Sequence, residues 1–423
     1  MIYNSPRGTT DYYGKDIKYI EFILNTAREM FKIYNYEEIV TPHFEYTEVF
    51  ARAVGENSEI VQKEMFTFQD KKGRSLTLRP EGTASVVRAV IEHKLFGENL
   101  PLKLFYAGSM FRYERPQKGR MREFSQIGVE AIGSDSPAMD AEIIWLLNSL
   151  FKNLGFKNLK LHINSIGCPQ CRKEYMNVLE KYLKPYEKDL CADCLNRIGK
   201  NTLRVFDCKV ETCRKILKNA PKISGSLCEK CKKYLQDIFD ILKVLDIEYF
   251  HNENLVRGFD YYTGTIFEII SSDIESAQNA LGGGGRYDDL MEEFGGPKIS
   301  STGFAIGIER TMLLMKDLGI ILPNFKNKTS KVYLINMSSR FNEYLFGILK
   351  FLRHNKIICD TNFNMKNLGK EIKWAQTEGY SHVIIIGENE VSNNLLTIKD
   401  LNNFTQMQLS WLNEKAKVLD LLK

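Results

Sequence analysis

The chain has 423 residues, too many for one ordinary core, and its 43% hydrophobic and 26% charged residues are those of a folded globular protein. No run of about 18 uncharged apolar residues occurs, which argues against a membrane helix, and MIYNSPRGTTDYYGKD lacks the apolar core of a signal peptide, so a cytoplasmic location is expected. The net charge of +5 is unevenly spread: residues 166–240 carry 16 Lys and Arg against 10 Asp and Glu, residues 325–423 carry 14 against 9, and the remaining body is acidic. That distribution suits a small-molecule enzyme with polyanion-binding attachments, although Lys-rich solvated helices would give the same excess.

In chain order, residues 17–33 predict an amphipathic helix, with Ile20, Ile23, Leu24, Ala27, Met30 and Phe31 on one face. Glu38 to Pro42 predicts a strand closed by its proline. Leu104–Tyr113 and Phe124–Ile132 predict a hairpin around a polar flap containing Pro116 and Gly119. In its second strand the two-residue period puts Gln126, Gly128 and Glu130 on one face and Ile127, Val129 and Ala131 on the other. A helix over 137–153 stops at Gly155, and a strand follows at Leu159–Ile163. From Cys168 to about Asp240 the chain turns Cys- and Lys-rich and mainly helical, which reads as an insertion because the strand-rich pattern resumes at Ile247. ILPNFKNKTSK reads as a linker. Beyond it, KVYLINM, a helix near 340–353, KIICDTN, a helix near 368–378 and SHVIIIG alternate as in a small α/β domain with a largely parallel sheet.

The segment Leu255–Glu268, LVRGFDYYTGTIFE, sets an arginine, an acid and two tyrosines beside a glycine and then enters a strand. Arg257 offers a planar fork of donors for a carboxylate or phosphate, and Tyr261 and Tyr262 offer rings with hydroxyl tips. A glycine turn opening a hairpin whose Arg and Asp pair on the surface would use the same residues.

LVRGFDYYTGTIFE closely resembles a signature of histidyl-tRNA synthetases, and TLRPEGT (77–83), MFRYERPQKGRMREFSQIGVE (110–130), GGGGRYDDL (282–290) and GFAIGIER (303–310) follow in that family's order. IVTPHFEYTEVF resembles the first of three class II synthetase motifs, whose proline lies at a dimer interface. The resemblance runs from PRGTTDYYG at 6–14 to near Lys423. It implies an α+β chain: a class II catalytic domain over 1–324 built on an antiparallel sheet and interrupted by the helical insertion at 166–245, then an α/β anticodon-binding domain over 325–423. It implies a homodimer with L-histidine, ATP with Mg2+, and tRNA(His) as partners.

By that resemblance Arg112 and Arg310 meet ATP, Arg112 also meeting the amino acid carboxylate, and Arg257 acts on the α-phosphate. Glu81 and Thr83 take the α-amino group, Gln126 and Glu130 hold the imidazole, and Tyr261 and Tyr262 close around it. Gly303 and Gly307 would let backbone approach ligand closely. The flap residues Arg115, Lys118, Arg120 and Arg122 would face ATP and the tRNA acceptor end, and Arg286 and Tyr287 would shape the pocket wall. The chemistry agrees: both steps of such a reaction need charge neutralisation and alignment more than a nucleophile, and an imidazole with two nitrogens needs an oriented partner for each. A regulatory subunit of ATP phosphoribosyltransferase shares the catalytic fold as a binding module, but lacks the anticodon-binding domain. A class II enzyme for another amino acid would lack LVRGFDYYTGTIFE.

Eight of nine cysteines lie between 168 and 231, as Cys168-x2-Cys171-x19-Cys191-x2-Cys194 and then Cys208-x4-Cys213-x14-Cys228-x2-Cys231. The first half has the spacing of a four-cysteine zinc site, so two structural Zn2+ sites are one reading and reduced, partly buried thiols the other. The family resemblance implies no metal here.

Overall fold

In the structure, a computed structural model, residues 3–55, 58, 60–97, 99–273, 280–323, 330–363 and 367–422 are described; part of the expected linker, 324–329, lies outside them. Two compact units result, Met1–Leu322 and Pro323–Lys423.

The first unit is built on an eight-stranded sheet with the order Glu37–Glu38, Leu102–Phe111, Glu123–Ile132, Ser301–Gly307, Ala280–Arg286, Thr265–Ser271, Leu159–Ser165 and Tyr249–His251. Every internal pairing is antiparallel, and a short parallel strand closes each edge. The strand expected at Glu38–Pro42 is therefore shorter and earlier. Pro42 lies outside it, in the link to a small second sheet formed by Phe44–Tyr46, Ser75–Leu78 and Thr67–Gln69.

Strand alternation divides the large sheet into two faces. Phe105, Ile127, Val129, Ala131, Phe267 and Ile269 pack under the helices Lys15–Ile33, Pro137–Asn153, Glu229–Val244 and Ile308–Asp317. Residues one step out of phase, Leu104, Tyr106 and Ile266, join the other core with Thr83–Glu92 and the inserted helices. The last inserted helix, Glu229–Val244, spends Leu235, Ile238, Phe239 and Leu242 on the first core. The insertion thus rejoins the body before its final helix ends, because that helix carries a full apolar stripe.

The glycine-rich strand Ala280–Arg286 has low intrinsic strand preference, and close packing explains it. A Cβ on Gly284 would lie 1.9 Å from the Gly303 carbonyl oxygen. Its last residue, Arg286, turns away from the glycine run into a buried bidentate pair with Asp140, at 2.7 and 3.2 Å, that ties this strand to Pro137–Asn153. The expectation that Arg286 shapes the pocket wall is therefore overturned: the pull of the buried carboxylate points it into the core.

The second unit carries a five-stranded sheet ordered Ile358–Thr361, Lys331–Asn336, His382–Ile386, Leu395–Asp400 and Gln406–Ser410. Its first three strands run parallel and its last two add antiparallel pairings. The largely parallel sheet expected from the alternation is half right: the short helix Glu388–Asn393 leads into an antiparallel strand, and a terminal hairpin without a helix adds the last.

Replacing one member of a fully desolvated ion pair strands the other charge. Asp140→Ala should lower the stability of the first unit by about 3–5 kcal/mol. Asp289→Ala, which removes a 3.9 Å pair with the largely exposed Lys298, should cost under about 1 kcal/mol. Urea unfolding of both variants compares the two losses directly.

Candidate active site

On the chemical face of the large sheet lies a cavity of about 400 Å³. Arg112, Arg257, Arg310, Glu81, Thr83, Gln126, Glu130, Tyr261 and Tyr262 all line it. Of the flap's basic residues only Arg120 joins them, alongside Glu114, Gly119 and Met121. Lys118 pairs with Asp317 at 2.8 Å, Arg122 lies 3.9 Å over the Tyr113 ring, and Arg115 is exposed; these side chains go to surface partners or solvent, so the expected basic wall reduces to one residue.

The three arginines are held by different means. Arg112 directly follows the first hairpin strand, and its backbone N–H still donates to Arg122 across the turn. Its Nε donates to the Pro80 carbonyl at 2.9 Å, and its guanidinium lies over the rings of Phe124 and Phe259. Arg257 donates Nη1 to Glu268 Oε1 at 2.7 Å, and its buried Nε has no partner among the described residues. Arg310 sits in the first turn of Ile308–Asp317. Burial, followed by the like charge of Arg120, lowers its pKa.

The acids form the floor. Glu81 accepts the N–H groups of Thr83 and Ala84 at 2.7 and 2.8 Å, stabilising the start of Thr83–Glu92, while burial raises its pKa. Thr83 donates Oγ1 to Glu130 Oε1 at 2.8 Å, and Tyr287 donates its hydroxyl to Oε2 of the same carboxylate. Glu130 can sit there because its strand partner is Gly303, where a Cβ would meet Glu130 Oε2 at 2.2 Å. Gly303 lines the cavity, and its absent side chain also leaves room for a carboxylate of the protein. Gln126 Oε1, two same-face positions away across Gly128, is buried and unpartnered among the described residues.

Tyr261 and Tyr262 pack as a pair, centroids 4.8 Å apart, with Phe259 stacked on Tyr261 at 5.1 Å and Tyr287 edge-on at 5.7 Å. Tyr106, Phe259, Glu268 and Arg204 also line the cavity and were not singled out from the sequence. Glu268 was within reach of sequence reasoning, as the acid closing the Arg257 segment. Arg204 carries no local signal, since only the folded insertion brings it to the wall.

Burial pushes the Glu130 carboxyl up to about 8, against the two hydrogen bonds it accepts. A folded-state pKa above the unfolded value of 4.5 favours the protonated form, so the contribution to stability is fully present below 4.5 and is lost as pH rises towards 8. The ligand-free chain should therefore lose stability as pH rises across that window through this group. Glu130→Gln should remove that component, measured as the difference between the two pH-stability curves.

A family model described as Histidyl-tRNA synthetase matches residues 8–311, and one described as Anticodon binding domain matches residues 331–421. Histidine–tRNA ligase of Halothermothrix orenii is 46% identical, covering 98% of this chain and 98% of its own. That of Aquifex aeolicus is 44% identical, covering 97% and 99%. The crystal structure of apo S. aureus histidyl-tRNA synthetase has a TM-score of 0.82 at 37% identity, covering 98% of this chain and 99% of that one. With motifs, fold and full-length relatives in agreement, this chain belongs to the histidyl-tRNA synthetase family.

Proposed function

We propose that the cavity performs the histidine–tRNA ligase reaction: it activates L-histidine with ATP to histidyl-adenylate, then passes the histidyl group to the 3′ end of tRNA(His), releasing AMP and diphosphate. The observation that carries this reading is the convergence of Arg112, Arg257 and Arg310, from three distant segments, on one cavity with the acids and tyrosines of the histidine pocket.

In the first step a histidine carboxylate oxygen attacks the α-phosphorus and diphosphate leaves. Arg112 and Arg257 stabilise the charge that builds on the phosphate oxygens, and Arg310 holds ATP. Because these cations are fixed in place before ATP arrives, little reorganisation accompanies the reaction. Mg2+ enters with ATP as part of that substrate. Glu81 and Thr83 take the α-ammonium group. Gln126 and Glu130 face the imidazole nitrogens, and Tyr261 and Tyr262 enclose the ring. A pocket that satisfies both ring nitrogens strands its own polar groups when an apolar analogue binds, so selection needs no separate editing step.

In the same reading the second unit, Pro323–Lys423, binds the anticodon arm, the chain works in the cytoplasm as a homodimer, and the insertion cysteines take structural Zn2+. No helix of the described residues is long and apolar enough to cross a membrane. The dimer gains support from an apolar surface around the first class II motif, where Val40, Phe44, Tyr46 and Phe68 are exposed by 82%, 50%, 51% and 44%.

ATP–diphosphate exchange, run with each amino acid in turn, tests the reading. Exchange is expected with histidine alone; exchange driven by another amino acid refutes the assignment, and silence with all twenty favours a regulatory role. Arg257→Ala should depress exchange by roughly 100-fold or more, while calorimetry shows histidine binding weakened only a few-fold. Equal losses in both would remove Arg257 from the chemical step.

A further inference from the structure

The eight insertion cysteines converge as two sets, and the sets are nested. Cys168, Cys171, Cys228 and Cys231 form one, Cys191, Cys194, Cys208 and Cys213 the other, with the sulfurs of each set within 4.8 Å of one another. The sequential division into a first and a second half is thereby overturned. Folding instead brings the two ends of the insertion together and encloses the middle pairs between them.

The sulfurs stand at the wrong separation for covalent pairing and a suitable one for a shared cation. Cys168 and Cys171 are 3.4 Å apart and Cys191 and Cys208 are 3.7 Å apart, whereas a disulfide needs about 2.0 Å. Four thiolates on a tetrahedral Zn2+ at about 2.3 Å stand about 3.8 Å from each other. Backbone amides already point at these sulfurs: Cys228 N–H donates to Cys171 Sγ at 3.1 Å and Cys191 N–H to Cys213 Sγ at 3.2 Å. Such bonds offset the negative charge of a four-thiolate site. Packing of apolar thiols explains Cys171, Cys194 and Cys213, which are buried. It does not explain the exposed Cys228, which gains little from burial yet closes its set.

We infer that the insertion is stapled by two Zn2+ ions in this nested arrangement, the outer ion joining its two ends and the inner ion fixing the turn that brings Arg204 to the cavity. The inference rests on the proposal that the insertion takes zinc, and not on the ligase reaction. The outer set begins where the body meets the Arg257 segment: the Ile166 N–H donates to the Gly264 carbonyl at 2.7 Å, the Gly264 N–H to the Gly167 carbonyl at 3.1 Å, and Arg172 Nη1 to the Tyr262 carbonyl at 3.0 Å. The inner set flanks the turn Thr202–Asp207, which leads directly into Cys208 and carries Arg204 into the cavity lining.

Metal content of the full chain, purified under reducing conditions with zinc present and then dialysed, tests this without reference to catalysis. Two zinc per chain are expected, and zero or one overturns the pair of sites. Cys168→Ser with Cys191→Ser takes one ligand from each nested set, so bound zinc should fall from two to none. Under sequential grouping the second half would stay intact and one zinc would remain, which would sink the nested arrangement. The complementary Cys168→Ser with Cys228→Ser should keep one zinc, where sequential grouping predicts loss of both. Circular dichroism confirms that each variant is folded. If either double variant unfolds, native mass spectrometry of the unaltered chain, cut between residues 194 and 208, decides the grouping: nested sets leave both ions bridging the two fragments, and sequential sets leave one ion on each.

Discussion

The site hangs on one buried carboxylate. Glu130 projects from the central hairpin onto the chemical face, and its two oxygens receive the hydroxyls of Thr83 and Tyr287. Those donors come from the start of a helix and from the end of the glycine-rich strand, so a single acid aligns three elements that are far apart in sequence. Its presence dictates a glycine at 303, because the register of the neighbouring strand places that Cα where a side chain would strike the carboxylate. A charged form in such a place is costly, and the hydrogen bonds only partly offset burial. The same cost makes the site receptive: a ligand cation or N–H donor restores what the cavity withholds.

The arginines obey the opposite logic. A cavity that collects several guanidinium groups must hold them against mutual repulsion until an anion arrives. Arg257 is compensated by Glu268 at 2.7 Å, and Arg112 by a carbonyl, two aromatic faces and, more distantly, Glu114 at 3.8 Å. Arg310 feels Arg120 and Arg112 as like charges, with Glu114 and Glu268 in opposition. The cations are thus graded in how fully they are neutralised within the protein. Arg310, half-buried beside like charges, stands to gain from a bound polyphosphate, whereas Arg257 can be drawn from its acid only by a stronger acceptor. Fixed, unequal compensation of this kind suits a reaction in which charge migrates from one phosphate group to another.

Much of this was legible in the sequence, and the reason differs from residue to residue. The hairpin strands and the pleat that separates Gln126 and Glu130 from Ile127 and Val129 follow from a period of two, which is a local property. Arg112 and Arg310 could be placed at the ends of regular elements, Leu102–Phe111 and Ile308–Asp317, whereas their roles came only from the family resemblance. Pro42 misled because a proline ends strands in general, and nothing local says that the pairing with Leu102–Phe111 stops at Glu38. Arg286 misled because its neighbours Gly282, Gly283 and Tyr287 do face the cavity, while its own partner Asp140 lies 146 residues away. The antiparallel end of the second unit was hidden because alternation of strand and helix signals a parallel crossover, whereas the six-residue helix Glu388–Asn393 leads into an antiparallel neighbour and the last two strands follow with no helix between them.

The cysteines show the same limit in its sharpest form. Spacing reports which sulfurs are near in sequence, and a CxxC pair is local enough to survive folding intact. Which pair meets which depends on where the chain returns. Helix Pro169–Leu183 leaves the body at Cys168, and helix Glu229–Val244 comes back to it at Cys228, each beginning at its cysteine. An insertion must leave and re-enter its host at neighbouring points, since Leu159–Ser165 and Tyr249–His251 are adjacent strands of one sheet. The first and last cysteine pairs flank that gateway and are brought together by the topology of insertion itself, leaving the inner pairs to find each other.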